Sequence, residues 1–361
     1  MDFTLVAKIF DALQISPPSK LILLDAQTLA SAHVPPYPPD MPVLLTNIDS
    51  RELALHLKDV LLTTYPSEHV VYLVGDKKKK EERIELLGGE EFFKRICLYI
   101  PPLGEGTSFE SFAEIVAHLR APNGCPWDRE QTHKSLRKHL LEESYEAISA
   151  IDSGDFTDMR EEFGDLLLQV VLQSQIANEE DQFNVNQVIH GIHSKIVRRH
   201  PHVFGDLKLE GVDGVLANWE KLKEKERGKK KDGKGLLDGV PLALPALSQA
   251  QEYQDRAARV GFDWPEIEGV LDKVKEEIEE IKNAETDFEL ASEIGDLFFA
   301  LVNVARWKHI DAESALRGTN MKFKKRFAHV EQGAKKEGRV PSALSLDEME
   351  SLWQEAKRKE G

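Results

Sequence analysis

Cysteine is nearly missing from this chain: Cys97 and Cys125 are the two in 361 residues. Two isolated thiols cannot build a disulfide scaffold, so the pattern fits a reducing compartment. Long hydrophobic runs are missing too. No stretch approaches the ~20 apolar residues that span a bilayer, so no membrane association is expected. The opening MDFTLVAKIFDALQ has no basic segment ahead of a continuous apolar run, and no signal peptide is expected. A cytoplasmic location is the resulting expectation. Basic excess is also lacking. The net charge of −16 repels a polyanion, so stable nucleic-acid binding is not expected. A small anionic substrate stays compatible if metal ions neutralise both parties locally. There is no GxxxxGK[ST] loop and no other glycine-rich phosphate cradle. Any bound phosphate group must therefore be held through metal and cationic side chains.

What is present is an ordinary globular composition, 41% hydrophobic and 7% aromatic, in a chain long enough for two or three domains. Its character changes near residue 105. Before that, short apolar runs alternate with proline-rich breaks: LILLDA (21–26), PVLLTN (42–47), VVYLVGD (70–76) and RICLYIPPL (95–103). They read as buried strands of a small α/β domain over 1–105, with a helix at 51–65. The charge run Lys77–Lys80 with Glu81 and Glu82 reads as a solvated loop.

After residue 105 the strand signals stop and amphipathic helical patterns take over. Helices are expected at 109–120, 130–152, 156–178, 185–200 and 213–227, within a first helical module spanning 106–228. A basic, glycine-containing break, EKERGKKKDGKG (224–235), reads as an exposed linker, assigned to 229–242. A second module, 243–361, carries helices at about 245–260, 265–284, 286–308, 311–332 and 346–359. The two halves repeat each other. EESYEAI (142–148) matches EEIEEIK (276–282), EEFGDLLLQVV (161–171) matches SEIGDLFFALV (292–302), and KIVRRHPHV (195–203) matches KFKKRFAHV (322–330). The shared order argues for duplication.

Within each repeat, carboxylates recur at helical spacing. Glu143 and Glu146 share one helix face, and Glu162 and Asp165 share a face of the next helix. Ser153-Gly154-Asp155 supplies a turn that lets the two helices pack antiparallel. The second repeat rebuilds the set with Glu277, Glu280, Glu293 and Asp296. Four acids at close quarters repel unless a cation lies between them. All-oxygen donors suit magnesium, with manganese as a substitute. A single E-x-x-E is ordinary helix surface; the matched pairs are not. A di-iron bundle would call for Glu-x-x-His, whereas the fourth position here is Asp both times. Gly164 and Gly295, just before those Asp residues, suggest close helix–helix approach. The faces opposite the acids are apolar: Leu166, Leu167, Val170 and Val171, then Leu297, Phe298, Leu301 and Val302. Downstream, Lys195 with Arg199 and Lys322 with Arg326 stand one turn apart, suited to a phosphate. Trp127, Phe262, Trp264 and Trp353 are aromatic candidates for base stacking, Trp353 beside Lys357. His200 and His202 lack further ligand-type partners and read as structural.

The blocks PNGCPWDREQTH (122–133), LLEESYEAI, EEFGDLLLQVV, RRHPHVFGD (198–206), LDGVP (237–241), RAARVGFDW (256–264), EIGDLFFALVNVARW (293–307) and NMKFKKRF (320–327) resemble the MazG family of nucleoside triphosphate pyrophosphohydrolases. The resemblance covers about 109–361. It implies tandem all-α modules, a homodimer, and magnesium-dependent hydrolysis of nucleoside triphosphates to monophosphates and pyrophosphate, with a house-cleaning role in nucleotide pools. The family motif falls on Glu142, Glu143, Glu146, Glu162 and Asp165, and again on Glu276, Glu277, Glu280, Glu293 and Asp296. Glu142 and Glu276, adjacent to the metal-binding acids, are the candidates to orient or deprotonate water; Lys195, Arg199, Lys322, Arg326 and Trp353 are the candidates for substrate. Residues 1–105 look like the C-terminal half of a tetrapyrrole methylase, without the half that would bind S-adenosylmethionine, and a structural or interaction role is expected for them. The reading from another class is a non-catalytic nucleotide- or protein-binding helical module. It is opposed by the intact carboxylates in both repeats.

Overall fold

The computed structural model describes residues 3–75, 79–89, 96–212, 214–215, 218–219, 222 and 235–360. They fall into two compact units, Met1–Val197 and Arg198–Gly361. The chain is mainly α-helical with one small sheet, as the sequence pattern predicts. Among the described residues no helix is long and apolar enough to cross a membrane.

In the first unit the apolar runs form a mixed five-stranded sheet from β1 (Ile22–Asp25), β2 (Val43–Ile48), β3 (Val70–Val74), β4 (Lys79–Arg83) and β5 (Ile96–Ile100), in the order β1-β2-β5-β3-β4. β1 and β2 are parallel, and the other pairings are antiparallel. Successive side chains of β2 go to opposite faces, as the pleat requires. Val43 and Leu45 join the core beneath α2 (Arg51–Leu62) with Leu57, Leu61, Leu98 and Ile100. Leu44 joins Ile9, Phe10 and Leu13 of α1 (Phe3–Leu13) with Tyr99 on the other face. Each such side chain, fully buried, contributes about 1.5–3 kcal/mol.

The charge run is not a solvated loop where it is described. Lys79–Arg83 is strand β4, antiparallel to β3, with alternating exposed and half-buried residues. Lys and Glu replace the usual apolar alternation because this is an edge strand, where charge protects against further pairing. Lys77 and Lys78 lie outside the described residues.

The helical part of the first unit begins with α3 (Phe109–Arg120), whose N-cap Ser108 also donates its hydroxyl to Asp40 at 2.6 Å. A short α4 (Pro126–Glu130) follows, then α5 (Arg137–Ser153), α6 (Phe156–Glu179) and α7 (Val185–Arg199). The helix expected from residue 130 starts only at Arg137. Thr132 and Ser135 exchange side-chain-to-backbone hydrogen bonds at 2.9 and 3.1 Å, a local alternative to helical pairing. Gly154 ends α5 at φ +73°, and Asp155 caps α6 through the Thr157 N–H at 2.8 Å. The predicted Ser-Gly-Asp turn is therefore a C-cap joined to an N-cap. Val116, Leu136, Val171, Leu172 and Ile176 form the core.

The second unit holds α8 (Pro201–Phe204), α9 (Ala246–Ala258), α10 (Ile267–Asn283), α11 (Asp287–Trp307), α12 (Ala312–Lys336) and α13 (Leu346–Glu360). A full capping box, Thr286 with Glu289, starts α11. Most of the helix expected at 213–227 and the linker residues 229–234 lie outside the described residues. The described remainder, 235–242, is pinned: Val240 is buried, and the buried Arg256 donates to the carbonyls of Leu236 and Gly239 at 3.2 and 3.1 Å.

Candidate active site

Antiparallel packing of α5 on α6 brings Glu143, Glu146 and Glu162 together, each with a carboxylate oxygen within 4.8 Å of the others. Burial, then the charges of Asp165 and Glu146, push the Glu143 pKa up. Burial and the charges of Glu146 and Asp165 do the same at Glu162. Asp165 acts on both through its field but falls outside the 4.8 Å group. Glu142 is held on its own helix by Lys138 at 3.2 Å and His139 at 3.3 Å.

The second module repeats the geometry with α10 and α11. Glu277, Glu280 and Glu293 bring oxygens within 4.8 Å of one another. Glu277 is 3% exposed, and its Oε2 is buried without a hydrogen-bond partner. Its other oxygen accepts from Lys273 at 2.7 Å, and the same ammonium reaches Glu276 at 2.8 Å. These two hydrogen bonds raise the Lys273 pKa. Burial and the neighbouring Glu277 push Glu280 up. Oxygen donors alone, mutual repulsion and a buried unpaired carboxylate oxygen make a set that fits a hard divalent cation.

Asp296, outside the tight trio, lines a cavity of about 650 Å³ together with Glu277 and Lys273. Tyr253, Phe262, Trp264 and Phe299 provide its aromatic wall. The wall is braced at its loop. Asp263 accepts from Arg306 at 2.6 Å, from the Trp307 indole at 3.2 Å and from the Trp264 N–H at 2.9 Å. Trp264 lies so close over Gly269 of α10 that an added Cβ would come within 2.6 Å of its ring. Phe262 and Trp264, named from sequence as stacking candidates, are thus placed next to the acids. Lys273, Gln254 and the Asp263–Arg306 brace were not singled out. Lys273 was legible as the residue one helical turn before Glu277.

Gly164 and Gly295 do not mediate close helix approach within the chain: a Cβ at either position would meet nothing within 4 Å. Both glycines are exposed. The expected apolar faces are only partly covered. Val171 and Val302 are buried, whereas Leu167, Val170, Phe298 and Leu301 are exposed. Lys195 and Arg199 lie on α7 and Lys322 and Arg326 on α12. The Arg326 guanidinium sits 5.8 Å from the Trp353 ring centroid, and Phe323 packs on the same indole. Trp353 also packs against the core of Val330, Ala334 and Leu344. Trp127, the other aromatic candidate, is exposed beside His139. The rings of His200 and His202 lie 5.7 Å apart.

The model of the MazG nucleotide pyrophosphohydrolase domain matches the chain twice, over residues 131–204 and 267–331, the spans that contain the two carboxylate sets. The nucleoside triphosphate pyrophosphohydrolase/pyrophosphatase MazG of Thermotoga maritima is 44% identical over 252 residues, 70% of this chain and 96% of that protein. The nucleoside triphosphate pyrophosphohydrolase of Escherichia coli K12 is 46% identical, covering 68% of this chain and 95% of its own length. Similarity to the uncharacterized protein YabN of Bacillus subtilis, 40% identical, extends over 97% of this chain and 74% of that protein, taking in the N-terminal sheet as well. With two matches to the domain and relatives aligned over nearly their whole length, this chain belongs to the MazG family of nucleotide pyrophosphohydrolases.

Proposed function

We propose that the chain hydrolyses nucleoside triphosphates to monophosphates and pyrophosphate in a magnesium-dependent reaction, with the second module as the principal active site. The observation that carries this reading is the continuity of the acidic trio with an aromatic cavity. Glu277 and Asp296 lie on the same wall system as Phe262, Trp264 and Phe299. A triphosphate at the acids and a base at the rings fit one concave site.

Magnesium, or manganese in its place, would be held by Glu277, Glu280, Glu293 and Asp296, and by Glu143, Glu146, Glu162 and Asp165 in the first module, and would supply Lewis-acid polarisation of the phosphoryl group there. Glu276, next to the trio and held by Lys273, is the proposed residue that orients or deprotonates the attacking water. Glu142 takes that place in the first module. Lys322 and Arg326, with Lys195 and Arg199 as their counterparts, are proposed to offset charge on the departing pyrophosphate. Trp353 offers an indole already paired with Arg326. A house-cleaning role in the cytoplasm and a homodimer, for which the exposed Leu167, Val170, Phe298 and Leu301 are available, complete the proposal. For residues 1–105 a structural or interaction role is proposed, on the likeness of their sequence to a tetrapyrrole methylase.

The test is pyrophosphate release from a panel of standard and modified nucleoside triphosphates, with magnesium and with EDTA. Magnesium-dependent formation of monophosphate supports the reading. A folded protein that binds nucleotide and releases no pyrophosphate favours the binding-module alternative.

A further inference from the structure

Among the described residues, the cavity beside the second acidic trio is lined from α9, the loop after it, α10 and α11, with one exception. The exception is Leu237, on the segment 235–241 that precedes α9. A short segment outside helix and sheet opens readily unless its backbone groups are held.

Here one side chain holds it. Arg256 of α9 is 6% exposed, and all three guanidinium nitrogens are engaged. Nη1 donates to the Leu236 carbonyl at 3.2 Å, Nη2 to the Gly239 carbonyl at 3.1 Å, and Nε to Glu252 at 2.8 Å. Burying a guanidinium is costly unless it is paired and hydrogen-bonded. Glu252, one turn back on α9, supplies the counter-charge, and the other two bonds go to the segment's backbone. Gly239 approaches so closely that an added Cβ would stand 3.0 Å from Nη1. The segment also closes on itself: the Val240 N–H donates to the Leu237 carbonyl at 3.0 Å, and the Val240 side chain is buried. The two anchored carbonyls thus bracket Leu237 in the chain. Leu237 itself is 42% exposed, so apolar surface remains on it for a ligand to cover.

We propose that residues 235–241 form a strap closing one side of the substrate cavity: Leu237 packs on the nucleobase of the bound triphosphate, and Arg256 is the positioning residue that holds it there. This rests on the pyrophosphohydrolase reading of the same cavity. The phosphates carry the charge and go to the acids and their cation; the base is the part an apolar side chain can cover. Leu237 meets the base equally in ground state and transition state, so the strap lowers KM and leaves kcat alone.

The test uses the full chain with magnesium. KM and kcat for pyrophosphate release are measured with ATP, GTP, CTP and UTP, and Kd is measured for each and for inorganic tripolyphosphate, which has no base. Leu237→Ala is expected to raise KM and Kd about fivefold or more for the preferred nucleotide. Its kcat and its Kd for tripolyphosphate should stay within about twofold of wild type. Arg256→Lys is expected to raise KM in the same way. The double variant should be no worse than the poorer single one, because both changes remove one contact. Nucleotide KM and Kd unchanged in Leu237→Ala overturn the proposal. Equal loss of nucleotide and tripolyphosphate affinity overturns it too, as does a double variant in which the two effects multiply. If Arg256→Lys does not fold, Leu237→Ala decides alone. The expected Kd shifts without pyrophosphate release from any triphosphate keep the strap and remove the reading of the reaction. Release with an unchanged KM does the reverse.

Discussion

The ammonium of Lys273 sits between two carboxylates of its own helix, 2.8 Å from Glu276 and 2.7 Å from the buried Glu277. A positive charge thus already stands beside the acids that a divalent cation would bind. Without it, three carboxylates face one another with only solvent to screen them. Lys273→Met is therefore expected to lower the melting temperature in EDTA by about 2–4 °C. Magnesium should restore more of that loss than it adds to the wild type. Differential scanning fluorimetry with and without magnesium measures the difference; an equal gain in both proteins contradicts the account.

Trp264 depends on the missing side chain of Gly269, since a Cβ there would approach its ring to 2.6 Å. Gly269→Ala gains helix propensity, about 1 kcal/mol, yet pushes the indole off the cavity wall. Steady-state kinetics should show KM raised by roughly fivefold or more with kcat less affected, the mark of lost ground-state binding. An unchanged KM would show that the wall does not meet substrate.

The C-terminal helix α13 is tied down by acid-sensitive contacts. Arg339 holds Glu348 through bonds at 2.7 and 3.1 Å, and this pairing, with the Ser345 backbone, pulls the Glu348 pKa down to about 2. A carboxyl with a depressed folded-state pKa binds its proton later than in the unfolded chain. Its stabilising contribution is present above about pH 4.5 and fades as the pH falls toward about 2. Glu348→Gln should lower the melting temperature at pH 7, and the gap from wild type should narrow as the pH drops through that window. A gap independent of pH would rule out the ion pair as its cause.

The helical duplication was legible because its signals are local. The 3.6-residue period, the Ser153-Gly154-Asp155 turn and the E-x-x-E pairs each act within one or two turns of chain. Strand β4 was not legible, because Lys79–Arg83 has no apolar alternation and is a strand only through pairing with β3. Gln254 was hidden for a related reason. A polar residue on an amphipathic helix is normally solvent-facing, whereas Gln254 is buried and donates to the Phe299 carbonyl of α11. The acids themselves stood out, but spacing on two helices could not separate the trio within 4.8 Å from the more distant Asp165 and Asp296. Gly164 and Gly295 misled: glycine before the aspartate suggested tight packing inside the chain, where a Cβ would meet open space.

The two modules differ in how their acids are set. Glu277 is buried on the wall of the aromatic cavity, whereas its counterpart Glu143 is half-buried on α5. The most direct measurement is magnesium-dependent pyrophosphate release by Glu277→Gln and by Glu143→Gln, each checked for folding. The account predicts a loss of about a hundredfold or more in kcat for Glu277→Gln and a rate within a few-fold of wild type for Glu143→Gln. Full activity in a folded Glu277→Gln would contradict it.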